Sequence, residues 1–396
     1  MSTALSKVES SLALNVVSSS FTDNDDNRYQ KSSDPNAIPV RMHLTWEKTQ
    51  PAGVQTFKLC CLLAKSGKLY KTSTGQLVEL VPGMPPRHIR THVDLEAFIR
   101  ENMDVTFNIG GRPKGNAVPA SDLKVMMHSE RFLTLIPVVD RIVSMPTYNS
   151  RWCLTKPGYN DGGTGNRFFM YGNALEPKLD PEYIRAFLDA MPFKSPGDKT
   201  NALAFALTVK LRHMWPGQKP FFPVTANKSH VGKDTIIDFA SGLTRKEEIS
   251  YHDKDWATQN EAVNVLIDYD VGLLSIGNIR TKNIQSAYVE RTITSSKVFL
   301  QSSKRSSAAH RESDFVVCAS ANNGRFSIDL ANRAAPIHLE LRGDIDKRNC
   351  TIGADPKHVF LPKHQGDIEV ELQGLIENWK AQGMPLDLKV EHPMLD

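Results

Sequence analysis

The sequence predicts an α/β protein, with a mostly parallel sheet covered by helices and a smaller α+β domain ahead of it. Three observations carry that prediction. Short apolar runs recur at Phe221–Ala226, Val263–Ile267 and Phe315–Ala319, as expected of strands buried on both faces. Helical patterns such as Ile236–Ala240 separate them, and buried strands alternating with helices give a covered parallel sheet. The chain has 396 residues, enough for two or three domains at about 100 to 200 residues each.

Composition narrows the class. Hydrophobic residues make up 40% and charged residues 23%, with 24 Gly and 23 Pro, which excludes collagenous, low-complexity and wholly disordered chains. The net charge is only +4, so charge alone assigns no nucleic-acid partner. Cys60, Cys61, Cys153, Cys318 and Cys350 contain no CxxC pair and predict neither a disulfide framework nor a zinc module. The longest apolar stretches, such as Phe132–Val139, are broken by proline and fall short of the roughly 18 residues of a membrane helix. No secretory pattern opens the chain, so a cytoplasmic protein with no membrane partner is expected.

Taken in order, residues 1–38 are rich in Ser, Asn and Asp and read as a disordered arm. Residues 39–176 read as the small α+β domain. Its expected parts are a β-meander from Phe57 to Val81, a short helix capped by Asp94, strands over Arg131–Val143 and Trp152–Leu154, and a glycine-rich turn at Pro157–Gly163. The main domain is assigned to 177–342. Asp180 and Pro181 supply an N-cap and a first helical position, and Ile184, Phe187, Leu188 and Met191 then recur at helical spacing. A second helix spans about 199–214 before the sheet begins. Residues 343–396 form a C-terminal helical segment: Ile368, Leu372, Leu375, Ile376 and Trp379 share one face, closed by Gly383 and Pro385.

The strongest chemical signal is the segment Asn227 to Thr235, NKSHVGKDT, between the run ending at Ala226 and an apolar helix. It resembles a phosphate-binding loop, in which backbone N–H groups wrap phosphates, the helix N-terminus adds positive potential and a lysine reaches the terminal phosphates. Gly232 and Lys233 fit that pattern, and Val231 beside them is a further candidate contact in the loop. Asn227, which tolerates left-handed backbone better than most residues, takes the place of the first glycine. Asp234, with Thr235 behind it, stands where a magnesium-binding hydroxyl is usual. Alone, the segment also reads as a basic loop capping a helix.

Val263–Ile267 reads as a buried strand that delivers Asp268 to the sheet's C-terminal edge, where a carboxylate can hold magnesium. Tyr269 follows, and Asp270 is a candidate substitute base. Phe315–Ala319 reads as a further buried strand, ending in Asn322 and Asn323. An amide there can orient an attacking water, and Arg333 can project to a neighbouring subunit's nucleotide. Lys304, Arg305 and Arg311 lie among small polar residues before that strand and are candidate contacts to a nucleic-acid backbone. A solvated charged face is the plain alternative.

In this order the pieces resemble the AAA+ ATPase module of bacteriophage and mobile-element primase-helicase proteins. The likeness is carried by Ala319-Ser320-Ala321-Asn322-Asn323, the run Asp329 to Ile337 (DLANRAAPI), Ile267-Asp268-Tyr269, and Glu290 to Ser295 (ERTITS). It covers about residues 50–396. The resemblance implies a P-loop NTPase fold, ATP and Mg2+ as cofactors, and a homo-oligomeric ring, a hexamer, acting on single-stranded or forked DNA in replication. It implies that Gly232 and Lys233 cradle phosphates, Asp268 holds magnesium, Asn322 places the water and Arg333 acts in trans. No primase-polymerase domain fits ahead of residue 40, so a primase is expected as a separate partner. The competing expectation is a nucleotide-binding or scaffold protein that has lost hydrolysis through Asn227, Asp234 and Tyr269.

Overall fold

The main sheet has five strands, β1 (Phe222–Ala226), β2 (Arg245–Ser250), β3 (Val271–Gly277), β4 (Val316–Asn322) and β5 (Ile337–Leu339). They run in the order β2-β3-β4-β1-β5, and every neighbouring pair is parallel. The computed structural model describes residues 42–73, 75–115, 117–214, 217–267, 270–279, 283–300, 309–322, 324–343 and 352–386. The expected N-terminal arm lies outside them.

Six helices cover the sheet: α1 (Glu182–Ala190), α2 (Pro196–Lys210), α3 (Lys233–Ser241), α4 (Asp255–Leu266), α5 (Ala287–Thr294) and α6 (Leu361–Ala381). On one face, Phe222, Val224, Val316, Cys318 and Leu273 pack against α1, α2, α3 and α6. On the other, Leu274, Ile276, Val317 and Ala319 pack against α4 and α5. Every residue of β1 and of β3 is buried, which is why these strands read as continuous apolar runs.

One assignment changes the sheet. Val263–Leu266, expected as a strand, closes helix α4, whose buried residues Thr258, Ala262, Val263 and Leu266 follow a helical period. The strand entering the sheet after it is β3. A short apolar run cannot by itself distinguish a buried helix end from a strand, and the seven-residue run Val271–Gly277 lay immediately beyond.

The C-terminal helix α6 belongs to the core through two buried carboxylates. Glu369 accepts from Lys210 Nζ at 2.9 Å and from Leu243 N at 3.1 Å. Glu371 accepts from Ile184 N at 2.9 Å and Tyr183 N at 3.1 Å. The N-cap position of α1 is Pro181, which makes no side-chain cap, so Glu371 rather than Asp180 caps that helix.

Ahead of the sheet, Met42–Glu47 pairs in parallel with Met103–Ile109. The start of the expected meander is a helix, Ala52–Lys65, with Gln55, Leu59, Cys60 and Leu63 buried. The antiparallel strands Leu69–Thr72, Leu77–Glu79 and Arg87–Ile89 follow. Asp94 sits at the third helical position of His92–Asn102, completing a capping box with Thr91. Arg131 falls within a helix, Glu130–Leu135, before the short strands Val138–Val139 and Arg141–Val143. Trp152–Leu154 forms no strand, only a bridge from Leu154 to Tyr148. This region is tied to the main sheet where Thr147 Oγ1 donates to Lys210 O at 3.1 Å and Tyr148 OH donates to Glu377 at 2.7 Å.

Candidate active site

The segment after β1 lies at the C-terminal edge of the parallel sheet, where ligands of open α/β sheets bind. Two residues turn the chain through left-handed backbone: His230 at φ 61° and Gly232 at φ 113°. Asn227 does not do so. Its side chain instead donates to Leu341 O at 3.2 Å and accepts from Leu341 N at 3.1 Å, which anchors the loop to the chain leaving β5. Val231 is buried in the core below. Gly232 is the N-cap of α3 and brings no side chain to cap it, so the first turn of α3 offers N–H donors and positive potential to an anion.

Lys233 and Asn322 meet across the loop. Lys233 Nζ donates to Asn322 Oδ1 at 2.6 Å, and Asn322 Nδ2 lies 3.3 Å from Ser229 Oγ. The reason is topological: β1 and β4 are adjacent, with Ala226 opposite Asn322, so the end of one strand faces the loop leaving the other. Burial lowers the Lys233 pKa, partly offset by the Asp234 charge.

These residues open onto a cleft of about 560 Å³ lined by Ser229, His230, Gly232, Lys233, Asp234 and Thr235 on one side and Asp355, Pro356, Lys357 and His358 on the other. Asp355 accepts from the N–H groups of Lys357 at 2.9 Å and His358 at 2.6 Å, holding that second wall in a turn that leads into α6. Lys357 Nζ lies 3.9 Å from Asp234 and 3.7 Å from Asp238, and Lys246 Nζ pairs with Asp238. Asp234 is exposed and Thr235 buried, so the carboxylate, not the hydroxyl, is the more open group. The second wall escaped sequence reasoning because Lys357 and His358 lie far along the chain from the loop and carry no motif.

Other expected site residues are not brought together. Asp270 lies at the opposite, N-terminal edge of the sheet, just before β3, where Arg245 binds it at 2.9 Å; a seven-residue strand at about 3.3 Å per residue separates it from the cleft, so it is not a base for this site. Asp268 lies outside the described residues, and the strand expected to present it is the end of α4. Arg311 is 1% exposed: its guanidinium is held by Asp314 at 2.8 Å, Leu266 O at 2.8 Å and Val271 O at 2.6 Å. It is a structural cation of the sheet's lower edge and is closed to nucleic acid. Lys304 and Arg305 lie outside the described residues; in sequence they fall between Lys297–Leu300 and Ala309–Glu312, which pair antiparallel. Arg333 is half-buried near the lower end of β1, where Phe221 N donates to Arg333 O at 2.9 Å. It stands away from its own chain's loop.

No protein-family model and no curated protein matches the chain. Among solved structures it is similar to the apo NrS-1 C-terminal region, with a TM-score of 0.51, 10% identity, 81% of this chain covered and 68% of that one. The two share a fold. A second structure of the NrS-1 C-terminal region (305–718) gives a TM-score of 0.49 at 11% identity over 82% of this chain and 70% of that one. A JCV helicase gives 0.32 at 12% identity over 56% and 64%, too remote to carry an argument. Among the described residues no helix is long and apolar enough to cross a membrane.

A divalent cation fits this site only in a particular way. Among the described residues no three His, Cys, Asp or Glu side chains gather as a metal cage. Magnesium at a phosphate site needs no such cage, being held by one or two carboxylates together with substrate phosphates. On the first turn of α3, Asp234 is exposed and Thr235 buried, so Asp234 is the residue of this turn whose oxygens are open to such an ion.

Proposed function

We propose that the chain is an ATP-hydrolysing motor of the P-loop, AAA+-like class that acts on nucleic acid as a helicase. The observation that carries the proposal is the junction of Gly232, Lys233 and Asn322: a left-handed glycine at a helix N-terminus, a lysine 2.6 Å from a strand-end amide, and a cleft before them. The fold shared with the NrS-1 C-terminal region supports the covered parallel sheet on which this reading is built, and the resemblance of Asn322 to Ile337 to the primase-helicase module supports a replicative role.

In this reading the first turn of α3 receives the β- and γ-phosphates, and Lys233 leaves Asn322 to contact them. Asn322, freed of that bond, orients the attacking water from the adjacent strand. Arg333, remote from its own loop, serves the site of a neighbouring subunit, which requires a homo-oligomer; a hexameric ring on single-stranded or forked DNA, with a separate primase, is the form the resemblance favours. Magnesium, when bound, neutralises charge on the phosphates. Lys304 and Arg305 remain proposed backbone contacts.

One observation favours the second reading, nucleotide binding without hydrolysis: β3 ends in Gly277-Asn278, with no carboxylate at the strand end. Nucleotide affinity and phosphate release, measured on the same preparation, separate the two. Binding with turnover supports the motor, binding without turnover the scaffold, and no binding removes both.

A further inference from the structure

Gly277 is the last residue of β3, two strand spacings or about 10 Å from the loop-bearing β1. The registers Ser275 with Cys318 and Cys318 with Phe222 place Ser275, and two residues on Gly277, on the α3 face of the sheet, the face of Asn322. An acid at the end of this strand would stand on the sheet face of Asn322, whose side chain meets Lys233. The sequence puts a glycine there, and the neighbouring strand fills the space. Glu248 of β2, opposite Ser275, reaches across so that its Oε1 lies 2.3 Å from where a Cβ on Gly277 would be. An aspartate carboxylate sits about that far from its own Cβ, given ordinary covalent geometry.

We infer that Glu248 supplies the magnesium-facing carboxylate of the nucleotide site, from the edge strand in place of an acid on β3. The inference rests on the phosphate-loop reading above. Glu248 is exposed at the upper edge of the sheet, and its side chain makes no hydrogen bond or ion pair to another described residue, so it is available to water molecules around a cation. Lys246 is held by Asp238 and Lys357 lies between Asp234 and Asp238, which leaves Glu248 uncompensated on this face. The glycine at 277 is needed for room and not for conformation: its φ lies outside the left-handed range.

The test uses the full chain, ADP and Mn2+. ADP affinity is measured calorimetrically in EDTA, and Mn2+ affinity of the ADP complex by electron paramagnetic resonance. Glu248→Gln should bind ADP in EDTA as wild type does, while its Mn2+ affinity falls about 10- to 100-fold, the loss usual for an outer-shell carboxylate. Gly277→Asp combined with Glu248→Ala moves the carboxylate back to β3 and should recover most of that loss. Unchanged Mn2+ affinity in Glu248→Gln, or no recovery in the double variant, overturns the assignment. Absence of ADP binding by wild type in EDTA and in Mn2+ alike overturns the phosphate-loop reading, and the assignment with it.

Discussion

Replacing Lys233 with Ala removes one ammonium from the mouth of the cleft and leaves the core untouched. The side chain is half-buried and makes one described hydrogen bond, to Asn322 at 2.6 Å. In the nucleotide complex that bond is exchanged for one to phosphate. A hydrogen bond involving a charged group contributes about 1.5 to 3 kcal/mol, and each 1.4 kcal/mol is about tenfold in affinity, so ADP and ATP should bind roughly 10- to 150-fold more weakly. Stability should change by less than about 1 kcal/mol, because no buried partner is stranded. Calorimetric titration, with urea unfolding on the same samples, reads both quantities. An affinity within about twofold of wild type would show that Lys233 does not reach the phosphates and would refute the loop assignment.

Other expectations follow from the same geometry. Glu369→Ala leaves the buried Lys210 without its partner at 2.9 Å and should cost about 3 to 5 kcal/mol in urea unfolding; a loss below about 1 kcal/mol would mean that α6 is not locked to α2 by this pair. Lys219 is buried and donates to Ser313 O, and burial lowers its pKa from 10.5 to about 8. Between those values the unfolded chain binds more protons than the folded one, so this group makes stability rise with pH there, by about 3 kcal/mol in all. Lys219→Met should flatten that rise, and parallel pH profiles for mutant and wild type would remove the claim. Arg333→Ala should keep ADP affinity, lose hydrolysis by roughly a thousandfold and inhibit wild type in mixtures beyond simple dilution; a linear dependence on wild-type fraction would place Arg333 outside any shared site.

The sheet was legible wherever strand and pattern coincide. Phe222–Ala226 and Val316–Ala319 are buried on both faces, so hydrophobicity alone marks them, and the loop between β1 and α3 follows from its Gly-Lys pair. What was not legible has local physical causes. Val263–Leu266 is a buried helix end, equally apolar at short range, and taken as a strand it points to Asp268 and Asp270 instead of to the end of β3. Arg311 looks like a solvated cation in sequence, yet two backbone carbonyls and Asp314 hold it inside. Asn227 was expected to bend the loop, whereas His230 and Gly232 do so and Asn227 ties it to Leu341. Lys357 and His358 reach the cleft, and Glu248 reaches the end of β3 at Gly277, only through tertiary contacts, and no spacing along the chain announces such neighbours.

Phosphate release by the purified full chain, measured with ATP and Mg2+ in the presence and absence of single-stranded DNA, tests the account most directly. The account predicts hydrolysis that rises when DNA is added and is lost in Lys233→Ala. A rate for wild type no greater than that of Lys233→Ala, with or without DNA, would contradict it.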